Sequence, residues 1–161
     1  MKTTLEIRYN SVLDEVNKTT AYETSKIVGE DGNRDAYERV STVDADEEML
    51  RRFYREAQSA LLNLLSPFVI DYKTYVVTGY DNVEDEEITT PGLSIRLQIS
   101  ERTPLYGLGI AAQSFFVTRI ISEWYAMCQM PERAAAMAAS AQQHLDEVKN
   151  IIYNKQAPKK R

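Results

Sequence analysis

The side chains that could do acid–base, nucleophilic or metal chemistry are few in this sequence. His144 is the only histidine and Cys128 the only cysteine in 161 residues. A general base needs a positioned partner, and a nucleophilic thiol needs an electropositive, accessible setting. His144 instead precedes Leu145 of a helical apolar seam, and Cys128 follows Trp124 on an apolar helix face. We therefore interpret His144 as a boundary residue and Cys128 as part of the core.

Carboxylates are the remaining candidates for a metal or catalytic site. Asp146 and Glu147 are neighbours on a predicted helix, where their side chains point about 100° apart and cannot share a ligand. A di-iron bundle needs Glu-x-x-His on two helices, which one histidine excludes. The chain also has no G-x-S-x-G, phosphate-binding glycine loop or His-Glu-x-x-His. We predict no enzymatic activity, no catalytic residue, no cofactor and no bound metal.

The most concentrated charge is acidic. Its spacing lacks the regular oxygen ligands and turn glycine of a calcium-binding loop. One interpretation is a solvated loop tip. The other is a repulsive surface that, repeated around a ring, would keep a polyanion such as DNA from sticking to a channel wall, at a range limited to about 8 Å by salt screening. The residues of this acidic tip are Asp81, Glu84, Asp85, Glu86 and Glu87.

A β-rich segment, Val69–Ser100, carries that tip between long helical stretches. Tyr75–Thr78 is β-branched and aromatic, and Leu93–Ser100 alternates apolar and polar residues, so the pair predicts a hairpin. An isolated hairpin is marginally stable, and the alternating strand Thr4–Tyr9 could complete the sheet from the same chain or a neighbour. The apolar row packs either on its own helices or on another subunit. The second alternative predicts a subunit interface of Leu5, Ile7, Leu93, Ile95, Leu97 and Ile99.

Helical periodicity and caps predict four helices, at about 11–28, 44–66, 104–128 and 131–154. Gly29 is placed to cap the first helix, and Asp44 with Glu47 has capping-box spacing at the second. Thr103 and Pro104 suit the start of the third, with threonine as cap. We predict a mainly α fold: a four-helix bundle-like core, a β-hairpin arm at about 69–100 between helices two and three, and a short N-terminal strand.

The composition fits one globular domain spanning 1–161. Net charge is −5, which argues against strong general affinity for nucleic acid. The N-terminus lacks the apolar region of a signal peptide, and no uninterrupted 18-residue apolar run predicts a membrane span. One cysteine fits a reducing cytoplasm. The basic tail 155–161 is predicted to be flexible; its Lys159, Lys160 and Arg161 serve solubility or docking onto a partner.

The layout of capped helix 44–65, arm 69–100, helix pair 103–128 and 131–152, and basic C-terminus resembles the head–tail connector (adaptor) proteins of tailed bacteriophages. The resemblance is one of organisation and does not rest on a sequence signature. It implies a homo-oligomeric ring between portal and tail that lines or surrounds the DNA channel. The implied partners are the portal and other tail or connector proteins, with at most non-specific proximity to DNA and no membrane. The implied location is the virion, after synthesis in the bacterial cytoplasm.

A second hypothesis remains open. The same chain could be a small cytoplasmic helical regulator or protein-binding module. In that case the hairpin would be buried within its own subunit, whereas a ring subunit could bury it against a neighbour.

Overall fold

The computed structural model describes residues 1–31, 47–74 and 92–153. Within these ranges the chain forms four long helices and a three-stranded antiparallel sheet. This confirms the predicted mainly α fold with an inserted β-hairpin and a short N-terminal strand. In chain order the elements are β1 (Lys2–Arg8), α1 (Tyr9–Asp31), α2 (Glu47–Leu65), a 3-10 turn (Ser66–Phe68), β2 (Val69–Thr74), β3 (Gly92–Gln98), α3 (Leu105–Met127) and α4 (Pro131–Tyr153).

Helix α3 lies at the centre of the molecule, as its broad apolar surface predicts. It contacts α1, α2, α4 and β1. Phe116 of α3 packs edge-on against Tyr54 of α2, with ring centroids 4.9 Å apart. The α2 residues that complete this part of the core follow the predicted stripe at spacings of three and four. They are Leu50, Phe53, Ala57, Leu61 and Leu65.

Helices α3 and α4 form an antiparallel pair joined by a tight turn. Gln129 has a positive φ of 60°, and the amide of Met130 donates to Tyr125 O at 2.9 Å. Between the helices, Ser122 Oγ donates to Ala134 O at 3.0 Å, and Ala134 is itself buried. The alanines of α4 leave little side chain between the two backbones, so the helices pack closely.

Two predicted helix ends are wrong. Helix α1 continues through Gly29 to Asp31, because glycine weakens a helix without having to end it. Thr103 is not the cap of α3: Pro104 occupies the cap position with an extended backbone (ψ 93°) and no side-chain cap hydrogen bond. The predicted cap Asp44 lies outside the described residues.

The sheet has the order β1-β3-β2, and both outer strands run antiparallel to β3. Strand β1 therefore pairs with β3 of its own chain, one of the two alternatives open from the sequence. A β-bulge between Val69 and Asp71 interrupts the β2–β3 register. The predicted strand Tyr75–Thr78 lies outside the described residues. The described strand before it, Val69–Thr74, was not predicted as a strand.

Candidate functional site

The predicted subunit-interface row lies in the chain's own core. Five of the six side chains lie on the inner face of β1 and β3, and the sixth, Ile99, follows the end of β3. All six pack against the helices. This corrects the expectation that they face a neighbour: a side chain enclosed by its own helices offers no surface to a second chain. Their exposed fractions are 7% for Leu5, 1% for Ile7, 2% for Leu93, 0% for Ile95, 0% for Leu97 and 6% for Ile99.

Two further groups of predicted site residues cannot be placed. The acidic tip (Asp81, Glu84, Asp85, Glu86 and Glu87) lies outside the described residues, and so do Lys159, Lys160 and Arg161 of the basic tail. The alternatives considered for them therefore stay predictions.

The residues weighed for chemistry are dispersed. His144 is half-buried at the edge of the α4 seam, with Nδ1 3.6 Å from Glu147 Oε2. Cys128 is partly buried and packs against the core. Asp146 Oδ1 accepts a hydrogen bond from Gln142 Nε2 at 3.0 Å on the surface. Among residues 1–31, 47–74 and 92–153, no three His, Cys, Asp or Glu side chains are grouped so that they could hold a metal ion.

The outer edge of β1 presents backbone groups that no described strand pairs with. Met1 and Ile99 exchange two backbone hydrogen bonds, of 2.9 and 3.0 Å. Such bonded pairs alternate with non-bonded pairs in an antiparallel ladder. Counting in twos from Met1, the backbone N–H and C=O groups of Leu5 point toward β3. Those of Thr4 and Glu6 point away from it. No described strand pairs with this outer edge.

The Tyr54 hydroxyl closes the other end of the β1–β3 ladder. It donates to Ile7 O at 2.5 Å and accepts from Leu93 N at 3.1 Å. Ile7 and Leu93 are opposite each other, and by the same alternation they would bond directly. Burial of the ring, above all, raises the pKa of the Tyr54 hydroxyl well above its ordinary value. The hydroxyl therefore stays neutral and fixes α2 to the edge strand.

A groove runs between the outer edge of β1 and the first turns of α3. Its volume is about 420 Å³. Thr4, Leu5 and Glu6 of β1 form one wall, and Glu15 of α1 closes one side. The α3 wall is formed by Leu105, Tyr106, Gly109, Ile110, Gln113 and Ser114.

The α3 wall of the groove exposes two large apolar side chains. Tyr106 is 84% exposed and Ile110 is 51% exposed, and they lie four residues apart on the same helix face. On the polar side, Gln113 Nε2 donates to Glu15 Oε1 at 3.3 Å. An extended chain laid along β1 would meet free backbone groups on one side and apolar side chains on the other. This arrangement suits strand addition.

The opposite edge of the sheet, β2, also exposes two large apolar side chains. Ile70 is 43% exposed and Tyr72 is 52% exposed. Between them, Asp71 forms a bidentate ion pair with Arg96 of β3. This guanidinium, above all through its hydrogen bond, holds the pKa of the Asp71 carboxyl below its ordinary value. Lys73 follows on the same face as Asp71.

Sequence reasoning missed both surfaces, although each has a signal. Along Val69–Thr74, Ile70, Tyr72 and Thr74 alternate with Asp71 and Lys73, which is the two-residue period of a strand. In α3, Tyr106 and Ile110 are spaced by four. The apolar residues of α3 cover more of its circumference than one buried stripe needs. The additional apolar residues, Tyr106 and Ile110, indicate this exposed wall.

No protein-family model matches the chain, and no curated protein or solved structure matches it either.

Helix α3 is, among the described residues, the one helix that is long and apolar enough to cross a membrane. Half of its most apolar window is buried inside the fold. Its side chains pack on α1, α2 and α4, and a central helix of a folded domain has the same composition. That the chain has no membrane partner stays a prediction.

Proposed function

We propose that this chain is a structural subunit of a phage head–tail connector or tail ring, which acts by assembly and not by catalysis. The observation that carries the proposal is a sheet whose two outer strands, β1 and β2, have no further partner strand among the described residues. Strand β1 borders a groove lined by both apolar and polar residues, and β2 exposes Ile70 and Tyr72. A strand edge without a partner strand offers backbone groups for pairing with another chain. The organisation that resembles connector proteins supplies the remaining support.

Burial of the Leu93–Ile99 row within the chain changes how such a subunit would assemble. The contacts would be made by strand edges and by the exposed wall of α3, not by the inner face of the hairpin. The helices would form a rigid wedge behind the sheet. In the proposed virion, the partners are further copies, the portal and other tail or connector proteins.

A second candidate function has one observation in its favour. Strand β3 of the hairpin is buried against its own helices, as expected for a small helical regulator or protein-binding module. In that case the β1 groove would take an extended segment of a different protein.

Reconstitution with the neighbouring gene products tests the leading proposal. The chain is mixed with the portal and tail proteins encoded beside it, and the products are examined by electron microscopy and analytical ultracentrifugation. The proposal predicts ring-shaped complexes containing several copies. A chain that stays monomeric up to its solubility limit and binds neither portal nor tail rings overturns it.

A further inference from the structure

We infer that the groove beside β1 receives β2 of a second copy of this chain, so that the three-stranded sheet continues from subunit to subunit. The inference rests on the proposed function and specifies its interface. The neighbour's strand would run parallel to β1, with its Tyr72 in the groove and its Lys73 beside Glu6.

The backbone of β1 has N–H and C=O groups oriented for the addition of a strand. The N–H and C=O groups of Thr4 and Glu6 point away from β3 toward the groove, as the alternation from the Met1–Ile99 pair shows. Thr4 and Glu6 both line the groove. An added strand would satisfy their backbone groups with ladder hydrogen bonds.

The side chains favour β2 of the neighbour over its β1. A second β1 would bring Leu5 and Ile7, which are already buried in their own core. Strand β2 instead carries Tyr72, which is 52% exposed although it lies on the same sheet face as buried Ile95. Its half-exposed side chain is therefore available to fill a cavity.

The strand directions define the pairing. Strands β1 and β2 are both antiparallel to β3 and hence parallel to each other. Leu5 and Tyr72 flank Ile95 in one row, and Glu6 and Lys73 flank Ser94 in the next. Repetition of the sheet in the same register places a neighbour's Tyr72 beside Leu5.

The same register matches charges. In the next row, a neighbour's Lys73 would lie beside Glu6, which is exposed and has only a 3.9 Å contact with Arg8. One edge of this row is acidic and the other basic. Head-to-tail stacking therefore brings opposite charges together, whereas a slip that set Asp71 beside Glu6 would bring like charges together. This complementarity argues for a second copy as the occupant.

The groove also suits a tyrosine. Its wall supplies Leu105, Gly109 and Ile110 for the ring, and Gly109 leaves space where another residue would have a side chain. At the polar side, Gln113 and Glu15 provide hydrogen-bonding partners for the phenolic hydroxyl. A buried tyrosine ring with a partner for its hydroxyl is a strong anchor in a protein interface.

The interface joins two different surfaces of identical subunits. Such a heterologous contact closes into a ring when the rotation per subunit divides a full turn, and otherwise produces a filament. The bulge between Val69 and Asp71 confines regular pairing to Asp71–Thr74. The contact is thus a short strand with one aromatic anchor.

A charge-reversal cycle tests the register. Glu6→Lys and Lys73→Glu are measured singly and together by sedimentation equilibrium, both with the free chain and on the portal ring. Each single reversal is expected to weaken self-association at least about tenfold, because like charges would face each other. The double variant restores most of the affinity. Glu132→Lys, the same charge change at the exposed start of α4, is the control and should change little.

Filling the groove is an independent test. A Cβ at Gly109 meets no atom within 4 Å, so Gly109→Leu projects into the groove while the helix gains a better helix former. Gly109→Leu is expected to abolish self-association and leave the thermal stability of the dilute monomer unchanged or higher. A lower monomer stability would mean that the chain's own residues fill the groove, and it would overturn the inference.

Cysteine cross-linking distinguishes the symmetry. In a Cys128→Ser background, Glu6→Cys with Lys73→Cys should form a disulfide-linked ladder. Each cysteine alone should stay monomeric under the same oxidation. A linked dimer from Glu6→Cys alone would show two-fold β1–β1 pairing and overturn the head-to-tail arrangement.

Failure of the interface can be separated from failure of the function. Suppose that rings form and bind the portal, and that neither the charge reversals nor Gly109→Leu weakens self-association. The inference is then wrong and the proposed function stands. If Gly109→Leu leaves self-association unchanged but abolishes portal binding, the groove holds a partner protein, which also overturns the inference. A chain that neither self-associates nor binds a ring contradicts both.

Discussion

At the scale of single residues, the Tyr54 hydroxyl has an unusual structural role. It bridges Ile7 O and Leu93 N, which a regular ladder would join directly. Tyr54→Phe leaves a buried donor and acceptor without this bridge. We expect a loss of about 1–3 kcal/mol in the free energy of unfolding. Urea denaturation at pH 7 measures it, with Tyr153→Phe as the matched control, because Tyr153 donates to Leu64 O at an exposed site.

The contribution of the Tyr54 hydroxyl to the free energy of unfolding should also depend on pH. Burial raises the pKa of this hydroxyl in the folded state. Its contribution is therefore complete below the unfolded pKa of about 10 and is lost as pH rises through the higher folded value. The stability difference between wild type and Tyr54→Phe should shrink progressively above about pH 10. A difference that stays constant there would contradict the role of the neutral hydroxyl.

Gly92 is required by close backbone contact at the same end of the ladder. A Cβ there would lie 2.5 Å from Ile7 O and 3.1 Å from Arg8 Cα, and backbone atoms cannot move aside cheaply. Gly92→Ala is expected to cost about 2–3 kcal/mol. Gly109→Ala is the control: its Cβ meets open space, and the better helix former should add up to about 1 kcal/mol. Thermal denaturation of both variants tests the contrast. Equal effects would refute it.

At the scale of elements, the turn between α3 and α4 contains a correctable strain. Gln129 is the non-glycine residue with positive φ among those described, and this conformation costs an L-residue roughly 1–2 kcal/mol. Gln129→Gly relieves it but increases the entropy of the unfolded chain. We expect a net gain of about 0.5–1 kcal/mol, measured by urea denaturation. Gln129→Val should destabilise the protein, since a β-branched residue suits this conformation least. A glycine variant less stable than wild type would contradict this account.

Strand β2 is attached to the sheet in part by the Asp71–Arg96 ion pair. The guanidinium depresses the pKa of Asp71 in the folded state. The stabilisation is therefore complete above the unfolded value of about 3.9 and is lost as pH falls through the lower folded value. Asp71→Asn should have a lower urea midpoint than wild type at pH 7, and the two midpoints should converge as the pH falls through the depressed pKa of Asp71. A gap that persists in acid would rule out the ion pair as its cause.

The elements differ in how well the sequence predicts them. Helices α2, α3 and α4 were located closely, because their apolar residues keep helical spacing and prolines limit their ends. Strand β2 was missed since both of its faces are largely exposed and it has no buried row. The groove could not be predicted from local pattern. It exists because β1 and α3, about a hundred residues apart, are brought together by the pairing of β1 with β3.

At the scale of the whole molecule, the sheet separates two functions. Its inner face supplies apolar side chains to the core and is complete within one chain. Its two edges supply backbone groups and a few exposed side chains, and in the proposed assembly these make the contacts. We expect such a subunit to fold as a monomer before it assembles, because the described core is enclosed by the chain's own residues.

Hydrogen exchange can detect this separation directly. In dilute monomer, the amides of β3 should exchange slowly, since that strand is paired on both sides and largely buried. Within β1, the amide of Leu5 should also exchange slowly, whereas those of Thr4 and Glu6 point outward and should exchange quickly. Assembly should protect Thr4 and Glu6 and leave β3 unchanged. If Thr4 and Glu6 remain unprotected in assembled rings, the outer edge of β1 is not a subunit contact. If β3 becomes protected only on assembly, the core is not complete within one chain.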